Sequence, residues 1–170
     1  MLFSNLKFPL MSFRIGLGTD FHQLVLGRKL WLGGIEIPHI KGSLGHSDGD
    51  VLLHAICDAL LGALSLGDIG LHFPDSDDNL KGIDSKILLA RSFQLIQQKG
   101  FRIVNLDTVV CLEKPKIMIY EPAMRLSISG ILNITTNDIS IKATTTEKLG
   151  FVGREEGIMA QAVVLLREVD

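Results

Sequence analysis

The chain has 170 residues, 46% of them hydrophobic, and a formal net charge of −2. This length suits one domain with a real core. The near-neutral balance excludes non-specific nucleic-acid binding, which needs a basic face, though not a local basic site for a phosphate. Cys57 and Cys111 lie in apolar runs without Cys-x-x-Cys spacing, so both read as buried reduced thiols of a cytoplasmic protein.

Met1 to Phe13 is apolar, with Lys7 its one charge. It is shorter than the ~20 residues that span a bilayer and lacks a small-residue cleavage site. It reads as an N-terminal extension, residues 1–13, ahead of a single domain over residues 14–170. Met11 is an alternative start, and organelle targeting by the extension stays open. Arg14 to Thr19 reads as a strand ending in Asp20-Phe21-His22. In extended chain i and i+2 share a side, so Asp20 and His22 can converge. Lys29 to Leu32 and Ile35 to Ile37 flank Gly33-Gly34 and read as a hairpin. Pro38 to Gly45 reads as loop.

Val51 to Leu66 is apolar on nearly every face and predicts a buried helix, introduced by the turn Ser47-Asp48-Gly49. Asp50, His54 and Asp58 are spaced i, i+4, i+8 and form one polar stripe. Polar groups in an apolar interior need partners. Asp68-Ile69-Gly70 and Phe73-Pro74-Asp75-Ser76-Asp77 read as turn-rich loop. Asp84 to Lys99 predicts an amphipathic helix with Leu89, Phe93 and Ile96 inward, stopped by Gly100. Arg102 to Leu112 predicts a strand with Val104, Leu106, Val110 and Leu112 on one side. Glu113 to Lys116 reads as a charged loop and Ile117 to Gly130 as a helix containing Pro122. Ile139 to Thr144 alternates as a half-buried strand does. Thr145 to Gly157 reads as loop and Ile158 to Leu166 as a final strand. Strands interleaved with helices give an α/β (α+β) domain: a mixed sheet packed by helices.

Asp20, His22 and His54 make a zinc set, because two imidazoles and a carboxylate leave the fourth tetrahedral position open, as in catalytic zinc. A satisfied core histidine is the alternative for His54. Asp50 or Asp58 could receive the second N–H of a zinc-bound histidine, or could serve only as helix cap and surface charge. Lys142-Ala143-Thr144-Thr145-Thr146-Glu147-Lys148 offers hydroxyls, amides and lysines to a phosphate, and Glu147 to a divalent cation. A β-favouring Thr run ending in a solvated turn is the plainer reading. Asp68-Ile69-Gly70 and Gly150 to Gly157 carry the same ambiguity.

These blocks together resemble one family. Gly18-Thr19-Asp20-Phe21-His22, His46-Ser47-Asp48-Gly49-Asp50 through His54, Gly67-Asp68-Ile69-Gly70 with Phe73-Pro74-Asp75, and Lys142 through Phe151 with Gly153-Arg154 are similar to the 2-C-methyl-D-erythritol 2,4-cyclodiphosphate synthases of the non-mevalonate isoprenoid pathway. The resemblance runs from about Arg14 to about Arg167. It implies a homotrimer with active sites between subunits and one zinc per subunit on Asp20, His22 and His54. It further implies a second divalent ion, magnesium or manganese, on Glu147. The implied reaction is metal-assisted: the 2-phosphate of 4-diphosphocytidyl-2-C-methyl-D-erythritol 2-phosphate attacks the nearer diphosphate phosphorus, releasing CMP and closing a cyclic diphosphate.

By the same resemblance His46 and Thr145 stabilise the transition state. Asp20, His22, His46 and Ser47 face the substrate's phosphates. Asp68, Ile69 and Gly70 meet erythritol, and Phe73, Pro74, Asp75, Ser76 and Asp77 lie along the substrate. Leu112, Lys116, Ile117 and Met118 belong to the cytidine loop, where Leu112, Glu113 and Lys114 are bulkier than is common. Thr144, Thr145, Thr146 and Glu147 form the phosphate turn. Phe151 and Arg154 match an axial cavity that holds an isoprenoid diphosphate in some family members, with interface packing as the alternative. No nucleic acid and no membrane partner is implied. Two other readings suit the residues: a trimeric sensor of an isoprenoid diphosphate, and a zinc phosphohydrolase with an activated water in the open position.

Overall fold

A computed structural model describes residues 12–169. The long strand β1 (Phe13–Leu26) begins the chain's main sheet. A separate hairpin follows, β2 (Leu30–Leu32) and β3 (Ile35–Ile37), then β4 (Lys41–Leu44). The helices are α1 (Val51–Ala63), the short α2 (Ile69–His72), α3 (Ser85–Gln98), α4 (Glu121–Leu132) and the short α5 (Gly150–Gly153). Strands β5 (Phe101–Cys111), β6 (Ile139–Thr144) and β7 (Gly157–Glu168) complete a sheet ordered β4-β1-β7-β5-β6. β6 runs parallel to β5, and the other neighbours are antiparallel. This is the mixed sheet and single core that the sequence predicts.

Helix α1 is the centre of that core: within it only His54, Asp58 and Gly62 are less than fully buried. It lies directly on β1 because β1 presents Gly16 and Gly18 to it. A methyl on either glycine would collide with the carbonyl of Ala59 or Ala55. Glycine inside a strand often marks such a close backbone approach. Alternation then puts Asp20 and His22 on the same side of β1, beside the first turn of α1. The other side of β1 is open: Ile15 is 73% exposed and Leu17 63%.

Several local expectations need correction. The stretch read as Pro38–Gly45 loop contains β4, whose Lys-Gly-Ser-Leu sequence has weak strand character and is extended by pairing with β1. β1 itself runs on to Leu26 for the same reason. Helix α1 stops at Ala63, three residues early, and Asp50 rather than Ser47 or Asp48 caps it, accepting from Leu53 N at 3.0 Å. The Asp68–Asp77 and Thr145–Gly157 loops each hold one helical turn, α2 and α5. Pro122 falls in the first turn of α4, where its missing N–H is harmless, and residues 118–120 form a 3-10 turn. A β-bulge between Ile103 and Asn105 turns Val104 away, so Ile103 is the buried residue. Cys57 is buried as expected, but Cys111 is only partly so. The extension, residues 1–13, lies outside the described residues up to Met11.

Candidate functional site

Three side chains meet where β1 and α1 come together. Asp20 Oδ2 lies 3.0 Å from His22 Nε2 and 3.0 Å from His54 Nδ1, and the two ring nitrogens are 3.1 Å apart. The remaining ring nitrogens are engaged elsewhere. His22 Nδ1 donates to the Leu44 carbonyl at 2.9 Å, and His54 Nε2 bonds the Ser85 hydroxyl at 2.9 Å. Once the protons that bond His22 Nε2 and His54 Nδ1 to Asp20 give way to a cation, two imidazole lone pairs and a carboxylate oxygen point at a common centre. Such a centre suits a cation, and the three residues form a group able to hold a metal ion. Burial tends to raise the Asp20 pKa, yet its bonds to His22 and His54 hold the carboxyl well below the usual range. Burial depresses His22, but Asp20 more than reverses this and leaves its pKa raised.

The polar stripe on α1 is shared among three tasks. Asp50 is fully buried and accepts from Gly33 N at 3.0 Å and Gly34 N at 2.7 Å, which docks the β2–β3 hairpin. Burial pushes its pKa up against those N–H bonds. His54 serves the metal-ligating group. Asp58 accepts from Ile69 N at 2.7 Å and so anchors α2, its pKa raised mainly by burial. Neither aspartate supports His54, and of the two readings left open for them the helix-cap role is the one that Asp50 fills. The His54 Nε2 meets Ser85 Oγ at 2.9 Å and Ser47 Oγ at 3.1 Å, and Ser85 in turn donates to Asp48 Oδ1 at 2.5 Å. Nothing in the local sequence around His54 signals Ser85, because it arrives from the start of α3.

The metal-ligating group forms part of the wall of a cavity of about 510 Å³. His46, Ser47, Ile69, Gly70, Phe73, Pro74, Asp75 and Ser76 also line it. His46 Nε2 is buried and has no hydrogen-bond partner among the described residues. Asp68 and Asp77 are absent from the lining. They are exposed or half-buried helix caps, accepting from Leu71 N and Asn79 N respectively.

A second cavity, of about 170 Å³, collects the cytidine-loop candidates. Leu112, Lys116, Ile117 and Met118 line it together with Thr144 and Thr145. Thr146 and Glu147 stand beside it in the same turn. Glu147 and Lys148 both take left-handed backbone angles, φ 51° and 63°. Glu113 holds this turn: one carboxylate oxygen accepts from Thr146 N at 3.2 Å and Lys148 N at 3.1 Å. Its bulk therefore has a use that sequence reading missed. Thr145 and His46, expected to act together, line different cavities of the one chain. Phe151 packs against Phe21 with ring centroids 6.0 Å apart. Arg154 is paired with Glu156 at 2.9 Å on the surface. Among the described residues no helix is long and apolar enough to cross a membrane.

Residues 13–167 match the model of the YgbB family. A curated relative, the 2-C-methyl-D-erythritol 2,4-cyclodiphosphate synthase of Bacteroides thetaiotaomicron, is 57% identical over 158 residues, 93% of this chain and 99% of that one. A solved 2C-methyl-D-erythritol-2,4-cyclodiphosphate synthase in its CDP-bound form has a TM-score of 0.84 at 39% identity, covering 90% of this chain and 99% of that one. The bifunctional IspDF of Campylobacter jejuni superposes with a TM-score of 0.91 at 40% identity, over 95% of this chain and 44% of its own.

Proposed function

The chain belongs to the YgbB family, and on that premise we propose that it converts 4-diphosphocytidyl-2-C-methyl-D-erythritol 2-phosphate to 2-C-methyl-D-erythritol 2,4-cyclodiphosphate and CMP. The observation that carries this is the convergence of Asp20, His22 and His54 on the wall of a cavity that also presents His46 and Ser47. The nucleophile is an oxygen of the substrate's own 2-phosphate, so the protein need not supply one. Its attack on the diphosphate phosphorus next to erythritol forms one P–O bond, and the bond to CMP breaks with CMP taking the electron pair. The obstacle is electrostatic: two unit charges at ~4 Å repel by ~4 kcal/mol at an effective dielectric of ~20. Catalysis is then positioning and charge compensation.

Asp20, His22 and His54 would hold zinc. Their donor atoms, 3.0–3.1 Å apart, are close to the ~3.3 Å between donors on one tetrahedral zinc. Zinc so held supplies Lewis-acid neutralisation of phosphate charge. Glu147 would hold a magnesium or manganese ion carried with the diphosphate. His46 Nε2, buried and unpartnered, is suited to a phosphate oxygen. Ser47 stands beside it, and the Thr145 hydroxyl takes the other side of the reacting group. Asp68 meets the erythritol hydroxyls at the mouth of α2, and the loop from Leu112 to Met118 takes the cytosine.

The reading requires neighbouring copies. Asp20 stands opposite Ala160, Ala160 opposite Val110, and Val110 opposite Ala143. Three strand spacings separate the two cavities by ~14 Å within one chain. The open sheet face, with Ile15, Leu17, Phe21 and Val163 exposed, is an apolar surface of the kind that associates. A homotrimer would cover it and bring one chain's nucleotide cavity to its neighbour's metal site, with Phe151 and Arg154 toward the axis. Release of CMP from the cytidylated substrate, measured with and without chelator, tests the assignment. CMP must appear without inorganic phosphate and cease when metal is stripped. Phosphate release would indicate a hydrolase, and binding without CMP would reject the cyclase.

A further inference from the structure

The two imidazoles of the metal-ligating group are fixed in different ways. His22 donates from Nδ1 to a backbone carbonyl, a bond no substitution at Leu44 can remove. His54 depends on side chains. Its Nε2 lies 2.9 Å from Ser85 Oγ and 3.1 Å from Ser47 Oγ. Ser85 has one hydroxyl proton and places it on Asp48 Oδ1. It can therefore only accept from His54. Ser47 Oγ, which accepts from Gly49 N at 3.1 Å, has a second lone pair able to share the same N–H, so the direction is fixed by Ser85 alone. A neutral imidazole has one N–H: the Ser85 oxygen draws it to Nε2, while the Asp20 carboxylate 3.0 Å from Nδ1 competes for it. A cation between Nδ1 and Asp20 needs the Nδ1 lone pair, which the Ser85 contact makes available by holding the N–H on Nε2.

Asp48 is itself held. Its Oδ2 accepts from Ser85 N at 3.0 Å, its Oδ1 also accepts from Asp50 N at 3.2 Å, and its own N–H donates to Ile83 O at 3.1 Å. Ser85 is fully buried at the first turn of α3. The carboxylate and hydroxyl cannot swing to another partner without breaking several bonds. A cap for α3 does not require them, because Asp84 caps that helix.

We propose that Asp48 and Ser85 are positioning residues for the metal site: their relay selects the His54 tautomer that presents Nδ1 to the ion. This rests on the metal-assisted reading above. A second hydrogen-bond partner fixes ring orientation and raises ligand basicity, and losing one typically weakens metal affinity ~10–100-fold.

The test uses the full chain and Ser85→Ala, Ser85→Thr and Asp48→Asn variants, each stripped with chelator and titrated with zinc against a chromogenic competitor. Imidazole ¹⁵N shifts of the metal-free proteins report the His54 tautomer. Ser85→Ala is expected to weaken zinc binding ~10–100-fold and to mix the tautomers. Ser85→Thr keeps the hydroxyl and should restore both. The amide of Asp48→Asn sets an NH2 against either Ser85 N–H or Ser85 Oγ, so it should weaken zinc too. Wild-type zinc affinity with retained Nε2–H in Ser85→Ala overturns the relay. If that variant fails to fold, undiminished zinc affinity in Asp48→Asn overturns it instead. A wild-type chain that takes up no zinc would sink the metal reading itself, which separates the two failures.

Discussion

Gly18→Ala tests how tightly the fold and the metal site are joined. A methyl at position 18 would lie 2.6 Å from Ala59 N and 2.9 Å from Asp58 Cβ, and would overlap the Ala55 carbonyl. Non-bonded heavy atoms settle at ~3.5 Å and the Ala55 carbonyl oxygen would lie far inside that distance, so α1 must retreat from β1 by more than ~1 Å. Overpacking of this kind costs ~1–3 kcal/mol. At ~2–4 °C per kcal/mol for a domain of this size, Tm should fall by ~2–12 °C. His54 rides on the displaced turn. Metal distances tolerate only ~0.2 Å of error, so zinc affinity should fall even where the fold survives. Gly130→Ala is the control. Gly130 lies in α4, and a methyl there would meet nothing within 4 Å, so alanine should stabilise by ~0.5–1 kcal/mol. Thermal unfolding by circular dichroism, with chelator and with zinc, reads both. A Gly18→Ala chain that melts with wild type and binds zinc equally well would refute the close packing of α1 on β1.

Removing metal should change the sign of the pH response. In the stripped protein the raised His22 pKa contributes stability that is present below its unfolded value of ~6.5 and is lost as pH rises through the folded value. With zinc bound the imidazoles must be unprotonated, so affinity and the zinc-induced gain in Tm should rise with pH over ~5–8; melts on the two forms check this. Glu113→Ala leaves Thr146 N and Lys148 N without their acceptor, so the second-metal concentration for half-maximal CMP release should rise while zinc affinity stays unchanged. Glu113→Gln keeps an acceptor oxygen and should lose less; equal losses in both would reject the turn-holding role. Asp68→Ala should raise the substrate KM, whereas Asp68→Asn keeps the α2 cap. An unchanged KM in both would remove Asp68 from the site.

Periodicity made the larger elements legible because their cause is local. Leu89, Phe93 and Ile96 are all buried in α3, and Gly33-Gly34, both at positive φ, turns the β2–β3 hairpin. The i, i+2 spacing of Asp20 and His22 likewise gave their convergence. What stayed hidden depends on partners distant in the chain. β4 exists because β1 offers it an edge, and the bulge at Val104 shifts a pairing register that no periodicity records. His54 stands in a stripe of three polar residues, but the other two serve the hairpin and α2, while Ser85 reaches its ring from 31 residues away. Gly16 and Gly18 did carry a signal, since two glycines on one side of a strand mark a close approach.

The same dependence on distant partners accounts for why one chain presents two separate cavities. The metal-ligating group requires a rigid junction, and the fold supplies it where α1 presses on β1. The proposed nucleotide loop would need backbone able to follow a base and a diphosphate, and it lies toward the other edge, where β5 ends and Glu113 fastens the Thr144–Lys148 turn. The sheet fixes the distance between these by strand count, at ~14 Å, and no side-chain adjustment can close it. On the proposed reading, a reaction that must force two phosphates together would take its opposite wall from a second copy. Covering the apolar sheet face would give the energetic reason for copies to associate, and the association would complete the site. If so, a charged substitution on that face, such as Leu17→Asp, should abolish CMP release and yield monomers while the zinc affinity of each chain stays near wild type, because Asp20, His22 and His54 all come from one chain. Sedimentation beside a zinc titration decides it, and an active monomer would refute the shared site.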